Sequence, residues 1–219
     1  MKRVINLVSL DLRTYMFDLE QMNKKIEGNI RYLGVPYHDN DATMYRFFRR
    51  SYPSQFQGVE FLDMGKCVKS DAGSPEDYYT GAGRLFFRDA CYITRNLLCK
   101  DAGKETRRVI SEIDEWLELD ALTLIDLPQI TGDDRTTSFY KDVIKHMTMR
   151  YNCIVINYAP YFEKEYQTEG IKATDLNVPY IHWKGIRNVK AKNLLEQAQY
   201  DEEMYQNHIV ELINNRGQL

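Results

Sequence analysis

The apolar residues of this chain follow two spacings, one typical of helices and one typical of short strands. Helical spacing predicts helices over residues 13–28, 42–50, 85–99, 104–119, 137–149 and 189–214. Short apolar runs predict strands over residues 30–33, 59–64, 122–125, 153–157 and 178–182. Residues 4–10 fit either a first strand or a helix.

The predicted strands alternate with the predicted helices along the chain. This order is typical of an α/β fold, and we expect a three-layer α/β/α sandwich with a mostly parallel central sheet. At 219 residues the chain is expected to form a single domain over 1–219. Residues 69–83 form a Gly-, Ser-, Asp- and Pro-rich loop that is long enough to indicate a function.

The net charge of −3 at pH 7 gives no whole-molecule attraction to nucleic acid. Contact with DNA would have to come from local patches, and the chain has two. One patch is formed by Arg46, Arg49 and Arg50, and the other by Lys184, Arg187, Lys190 and Lys192. A solvated surface is the ordinary explanation of such clusters.

No apolar run approaches the roughly 20 residues that a membrane span requires. The first ten residues lack a small-residue cleavage site, so we expect a cytoplasmic protein with no membrane partner. The cysteines contain no C-x-x-C pair, which favours reduced and mostly buried thiols over a metal site. They are Cys67, Cys91, Cys99 and Cys153.

Several well-known reaction motifs are absent from the sequence. It contains no G-x-x-x-x-G-K-[ST] phosphate loop and no G-x-S-x-G turn, and its four histidines lack metal-ligand spacing. The remaining candidates lie at the ends of predicted strands: Tyr37-His38-Asp39, Asp63, Asn157-Tyr158 and His182-Trp183-Lys184-Gly185. The carboxyl ends of parallel strands meet at one edge of a sheet, so we expect these groups to converge there.

The turn after residues 30–33 contains the closest grouping of candidate catalytic and binding residues in the sequence. Gly34-Val35-Pro36 leads into Tyr37, His38, Asp39 and Asp41, which bring an aromatic ring, an imidazole and two carboxylates into five residues. Such turns at strand ends are where α/β folds place ligands, because the backbone there is rigid.

Five features in order along residues 30–190 resemble the uracil-DNA glycosylase superfamily. Gly34-Val35-Pro36-Tyr37-His38 is similar to the family's first turn, shortened by one residue. Phe48 stands about where the family has an aromatic that stacks on the extruded base, and Phe61-Leu62-Asp63 takes the place of its Leu-Leu-Asn. The run ending Asn157-Tyr158-Ala159 resembles the family's Gly-x-x-Ala strand, and His182-Trp183-Lys184 replaces its His-Pro-Ser turn.

The resemblance implies the glycosylase version of the three-layer fold and a DNA N-glycosylase that needs neither cofactor nor metal. No acid directly precedes Pro36, so water activation falls to Asp39 or Asp41, and His182 is expected to stabilise the departing base. Base binding is implied for Tyr37, His38, Phe48, Asp63 and Asn157. DNA contacts are implied for Lys184, Gly185, Arg187 and Asn188.

Asp63 changes the expected substrate. A carboxylate only accepts hydrogen bonds, which suits the exocyclic amine of cytosine better than the edge of uracil. Since excision of plain cytosine from host DNA would be lethal, a modified base is expected, as for phage-defence enzymes that remove glucosylated hydroxymethylcytosine. Tyr78 and Tyr79 in the 69–83 loop suit a sugar. The other interpretation of Asp63 is a turn or helix-capping residue.

Two other function classes remain open. Asn157-Tyr158-Ala159-Pro160-Tyr161 resembles the Asn-Pro-Pro-Tyr motif of S-adenosylmethionine-dependent DNA methyltransferases, and Phe61-Leu62-Asp63-Met64-Gly65 resembles their cofactor strand. Lys66-Cys67-Val68-Lys69 lacks the further glycines that this cofactor strand needs. The sixteen tyrosines would also suit a non-enzymatic interaction module. The expected partner is phage DNA, with a monomer as the simplest assembly.

Overall fold

The computed structural model describes residues 3–10, 17–35, 60–62, 84–87, 90–93, 101–127, 134–159, 161 and 177–216. The strands in these ranges are β1 (Arg3–Ser9), β2 (Gly28–Gly34), β3 (Glu60–Leu62), β4 (Arg84–Phe87), β5 (Ala90–Ile93), β6 (Leu122–Leu127), β7 (Asn152–Ala159) and β8 (Tyr180–Lys184). The helices are α1 (Leu19–Ile26), α2 (Ala102–Trp116), α3 (Asp134–Arg150) and α4 (Leu194–Asn215).

These strands form one eight-stranded sheet in the order β3-β4-β5-β2-β1-β6-β7-β8. Five of the seven neighbouring pairs are parallel, and only β4 runs against its two neighbours. The central strands are buried on both faces, as a parallel sheet covered by helices requires. The prediction of an α/β fold with a mostly parallel sheet is therefore confirmed.

Helices cover both faces of the sheet. On one face, side chains such as Leu7 and Leu124 pack against α1 and α4, whose buried residues include Met22 and Ile209. On the other face, the alternate positions of the same strands pack against α2 and α3. Each face thus has its own apolar core, and adjacent residues of one strand lie in different cores.

Side-chain caps define where α1, α2 and α4 begin. Asp18 and Asp101 accept hydrogen bonds from the backbone N–H groups of Gln21 and Lys104. Asn193 caps α4 by accepting from the Glu196 N–H at 2.9 Å. Because of this cap α4 begins at Leu194 rather than at residue 189 as predicted.

The predicted helix over residues 85–99 is wrong where the structure describes it. Residues 84–87 and 90–93 form β4 and β5, which pair antiparallel with each other, while β5 extends the sheet beside β2. Phe86, Phe87, Tyr92 and Ile93 are residue types that favour strands, and cross-strand pairing outweighs the helical spacing of the apolar positions. The predicted helix over 42–50 lies outside the described residues.

Gly28 on β2 leaves no room for a side chain beside β1, and replacing it by alanine is expected to destabilise the protein. An added Cβ would lie 2.8 Å from the Arg3 carbonyl oxygen, so the strands would have to separate. We expect Gly28→Ala to lower the free energy of unfolding by about 1–3 kcal/mol in urea titrations. Gly103→Ala in α2 is the matched control, because its Cβ meets nothing closer than 3.4 Å and helix propensity favours alanine by up to about 1 kcal/mol. Equal effects of both substitutions would contradict this interpretation.

A polar cluster joins α2 to α3 near the amino edge of the sheet. One oxygen of Asp114 accepts hydrogen bonds from the Tyr151 hydroxyl at 2.6 Å and from His146 at 2.9 Å, and Arg150 lies at 3.4 Å. Partial burial alone would raise the pKa of this carboxyl, but the hydrogen bonds and the nearby cations together hold it below the usual value.

This lowered pKa predicts the pH dependence of the cluster. The stabilisation from Asp114 is fully present above the ordinary carboxyl pKa of about 4 and is lost as pH falls through the lower pKa of the folded state. Urea titrations should therefore show that the stability difference between the unmodified protein and Asp114→Asn shrinks below about pH 4. Asp142→Asn is the control, because no hydrogen bond or ion pair of the exposed Asp142 side chain occurs among the described residues. A difference that stays constant down to pH 2 would refute this prediction.

No helix in the described ranges is long and apolar enough to cross a membrane.

Candidate functional site

The strand order reverses between β1 and β6. From β1 the chain extends the sheet through β2 to β5 on one side, then returns to build β6, β7 and β8 on the other. In doubly wound sheets, ligands bind in the crevice outside the carboxyl ends of the strands at this reversal. Ser9 and Asp126 stand at these strand ends, directly opposite each other in register.

A buried cluster of two hydroxyls and one carboxyl occupies this reversal point. The Ser9 hydroxyl donates to Asp126 Oδ2 at 3.1 Å, and the Tyr205 hydroxyl from α4 donates to Asp126 Oδ1 at 2.5 Å. Ser9, Asp126 and Tyr205 are each no more than 2% exposed. Both carboxyl oxygens therefore have hydroxyl donors, which offset the desolvation of the group.

Aromatic rings surround the Tyr205 side of this cluster. The Tyr205 ring lies 4.5 Å from Tyr158, 5.1 Å from Trp183 and 6.0 Å from Phe17, measured between ring centroids. Tyr158 and Trp183 are stacked at 5.3 Å. The rings attach α4 to the sheet and form an apolar wall beside the reversal point.

Two residues predicted to act on the base lie side by side on β7 and β8. Asn157 and His182 are direct partners in the register of these parallel strands. The Asn157 amide donates to the Tyr180 hydroxyl at 2.9 Å, and His182 is exposed. Burial raises the pKa of Tyr180 more than the hydrogen bond from Asn157 lowers it, so the hydroxyl keeps its proton at neutral pH.

The Asn157–His182 pair and the Asp126 cluster lie on different faces of the sheet. Tyr158 packs in the core beneath α1 and α4, so the adjacent Asn157 faces the side of α2 and α3. Asp126 contacts Tyr205 of α4 and therefore faces the other side. The carboxyl edge thus offers two separate polar groups.

The segment after β8, in which four DNA contacts are predicted, is held by hydrogen bonds. The Gly185 N–H donates to the Ala159 carbonyl at 2.7 Å, and the Asn188 N–H donates to Gln197 at 2.8 Å. Neither N–H is therefore available to a phosphate. The side chains of Lys184 and Arg187 are exposed and remain available.

A buried carboxyl from α4 braces the same segment. Asp201 accepts the Ile186 N–H at 2.9 Å and the Tyr161 N–H at 2.8 Å, one on each oxygen, and it is fully buried. This brace joins the chain after β7 to the chain after β8. It fixes one wall of an open cavity of about 360 Å³, which Tyr161, Arg187, Lys192 and Leu194 help to line.

Six predicted site residues lie outside the described residues. They are Tyr37, His38, Asp39, Asp41, Phe48 and Asp63. The strand before Asp63 is β3, at the opposite edge of the sheet from β8. Seven strand spacings of about 4.8 Å, roughly 34 Å along the sheet, separate β3 from β8. The sheet geometry therefore gives no support to a pocket shared by Asp63 and His182, which stays a prediction.

The described part of the chain contains no group of three or more His, Cys, Asp or Glu side chains placed to hold a metal ion.

Sequence reasoning missed Ser9, Asp126, Tyr205 and Asp201. One signal was available: Asp126 is the single acid in the apolar run Leu122-Thr123-Leu124-Ile125-Asp126-Leu127. An acid buried in such a strand needs a dedicated partner, so it marks a polar cluster.

Comparison with known proteins gives no family assignment, since no protein-family model, curated protein or solved structure matches the chain.

Proposed function

We propose that this chain is a DNA N-glycosylase whose base-binding groups lie at the carboxyl edge of β7 and β8. The observation that carries the proposal is the direct pairing of Asn157 with His182 in the sheet register. An amide and an exposed imidazole at adjacent strand ends supply hydrogen bonds to the edge of a base. The exposed cations Lys184 and Arg187 follow immediately, where the DNA backbone would lie.

The proposed reaction hydrolyses the bond between the base and C1′ of the sugar. A nucleotide is first flipped out of the stack, which costs a few kcal/mol. The base leaves with the bonding electron pair, and His182 stabilises the resulting charge. The sugar becomes an oxocarbenium-like cation, and the Asp39 or Asp41 carboxylate stabilises it and takes a proton from the attacking water. The new C1′–O bond leaves an abasic site.

The narrower proposal is that the base is glucosylated hydroxymethylcytosine in phage DNA, removed in the cytoplasm as a defence reaction. Asp63 and the 69–83 loop support this substrate from sequence alone. The test is a substrate panel in which duplexes carry glucosylated hydroxymethylcytosine, uracil or plain cytosine, followed by alkaline cleavage at abasic sites. Cleavage only at the glucosylated base supports both levels of the proposal. Cleavage only at uracil would support the proposed glycosylase reaction but contradict the proposed substrate. No cleavage of any duplex would contradict both the reaction and the substrate.

A second candidate is an S-adenosylmethionine-dependent DNA methyltransferase, and the strand order favours it. The order β5-β2-β1-β6-β7-β8 is that of classic doubly wound nucleotide-binding sheets. The sequence after β1 is Leu10-Asp11-Leu12-Arg13, which lacks the glycines needed to bind the pyrophosphate of a dinucleotide. S-adenosylmethionine has no pyrophosphate, so the missing glycines do not count against it as the cofactor. Thermal stabilisation by S-adenosylmethionine, together with no abasic sites on the panel, would select this candidate.

A further inference from the structure

We propose that residues 184–195, the β8–α4 segment, dock the protein on an anionic phospholipid surface. The proposal goes beyond the proposed function and departs from the expectation that no membrane is a partner. It concerns a peripheral surface that lies on the bilayer rather than a segment that spans it.

The first observation is a group of exposed aliphatic side chains in this segment. Val189 is 83% exposed, Leu194 73%, Leu195 67% and Ile186 47%. Single exposed apolar residues are ordinary, but these four lie within ten consecutive residues, and Val189 and Leu194 line the same cavity. Such a concentration indicates a surface that contacts a protein or a membrane. The aliphatic group therefore needs an occupant that removes it from water.

The second observation is the charge of the segment. It contains Lys184, Arg187, Lys190 and Lys192, while no acidic residue occurs from residue 177 to residue 195. None of these four side chains has a hydrogen-bond or ion-pair partner within the part of the chain that the structure describes. The segment has four of the 29 basic residues and none of the 32 acidic ones. The rest of the chain therefore has a net charge of −7. An anionic surface would therefore attract this segment and repel the remainder.

The third observation is that the segment is presented in a fixed shape. Gln197 accepts the Asn188 N–H and donates to the Ile186 carbonyl, each at 2.8 Å, and Asp201 accepts the Ile186 N–H. The cavity of about 360 Å³ beside it is lined in part by Arg187, Lys192 and Leu194, which places two cations next to an aliphatic side chain. Ordering on binding would therefore cost little entropy.

The DNA contacts of Lys184 and Arg187 in the proposed function do not account for the aliphatic group, and lipid is the occupant that these features favour for the segment as a whole. DNA phosphates would neutralise the cations but leave the four aliphatic side chains in water. The boundary between headgroups and acyl chains accepts both, because cations contact anionic headgroups while aliphatic side chains enter the apolar layer.

The test is sedimentation of the protein with vesicles that contain 30% phosphatidylglycerol in phosphatidylcholine, compared with pure phosphatidylcholine. We expect at least tenfold tighter binding to the anionic vesicles. The variant Val189→Ser/Leu194→Ser/Leu195→Ser keeps every charge and is expected to lose at least tenfold of this affinity. Met149→Ser on α3, where the side chain is 79% exposed, is the matched control and should bind like the unmodified protein.

Three outcomes would overturn the proposal: no binding to anionic vesicles, equal binding to both vesicle types, or unchanged binding of the triple variant. Duplex binding without vesicle binding would leave the segment with only the DNA contacts of the proposed function and would also overturn the lipid proposal. The abasic-site panel uses no vesicles. Failure of the glycosylase proposal would therefore be seen separately from failure of this one.

Discussion

Replacing Tyr205 with phenylalanine is expected to lower the free energy of unfolding by about 2–3 kcal/mol. The substitution keeps the ring contacts with Tyr158 and Trp183 but removes the hydroxyl that donates to Asp126 Oδ1 at 2.5 Å. Asp126 is 1% exposed, so water cannot replace the lost donor without opening the crevice. For a chain of this size the melting temperature should fall by roughly 4–12 °C.

Tyr200 on the same helix provides the matched control. It is half-buried, and no hydrogen bond to its hydroxyl occurs among the described residues, so Tyr200→Phe should change stability by less than about 0.5 kcal/mol. Urea titrations monitored by circular dichroism measure both variants. If Tyr205→Phe were as stable as the unmodified protein, the buried hydroxyl–carboxyl cluster could not be what secures α4 to the reversal point.

The second large effect is expected on catalysis. In the proposed mechanism His182 stabilises the charge on the departing base, so His182→Ala should slow base excision by about 10²–10³-fold. The same mechanism assigns a base contact to the amide of Asn157, the register partner of His182, so Asn157→Ala should also slow excision. The measurement is the single-turnover rate of abasic-site formation, so that substrate binding and product release do not hide the effect.

Asn152→Ala is the control for these variants. Asn152 lies on the same strand as Asn157 but is exposed at the amino end of that strand, away from the carboxyl ends where Asn157 and His182 lie. We expect its excision rate to equal that of the unmodified protein. Equal slowing by Asn152→Ala and Asn157→Ala would show that the loss comes from the strand as a whole rather than from a base pocket.

Much of the fold was accessible from the sequence. Short apolar runs predicted strands near β2, β6, β7 and β8, and the pattern of apolar positions predicted helices near α2, α3 and α4. The strand order was not predictable, because an apolar pattern shows that a strand is buried but not which strand it pairs with. The helix prediction over residues 85–99 was wrong for the same reason, because the pairing of β4 with β5 determines the structure there.

The candidate site was accessible only in part. Asn157 and His182 are the last residues of predicted strands, and their convergence results from parallel pairing of neighbouring strands. The Asp126 cluster was missed because its hydrogen bonds join residues 117 and 79 positions apart. Tyr205 itself occurs at ordinary core spacing on a long helix, so the sequence does not distinguish its hydroxyl from that of a packing tyrosine.

The most direct test of base excision is the single-turnover rate of abasic-site formation on glucosylated phage DNA. It compares the unmodified protein with the double variant Asp39→Asn/Asp41→Asn, prepared in parallel so that a contaminating activity would appear in both. We predict one abasic site per modified cytosine with the unmodified protein and at least a 100-fold slower rate with the double variant. No abasic sites with either protein, or equal rates with both, would contradict the proposed function.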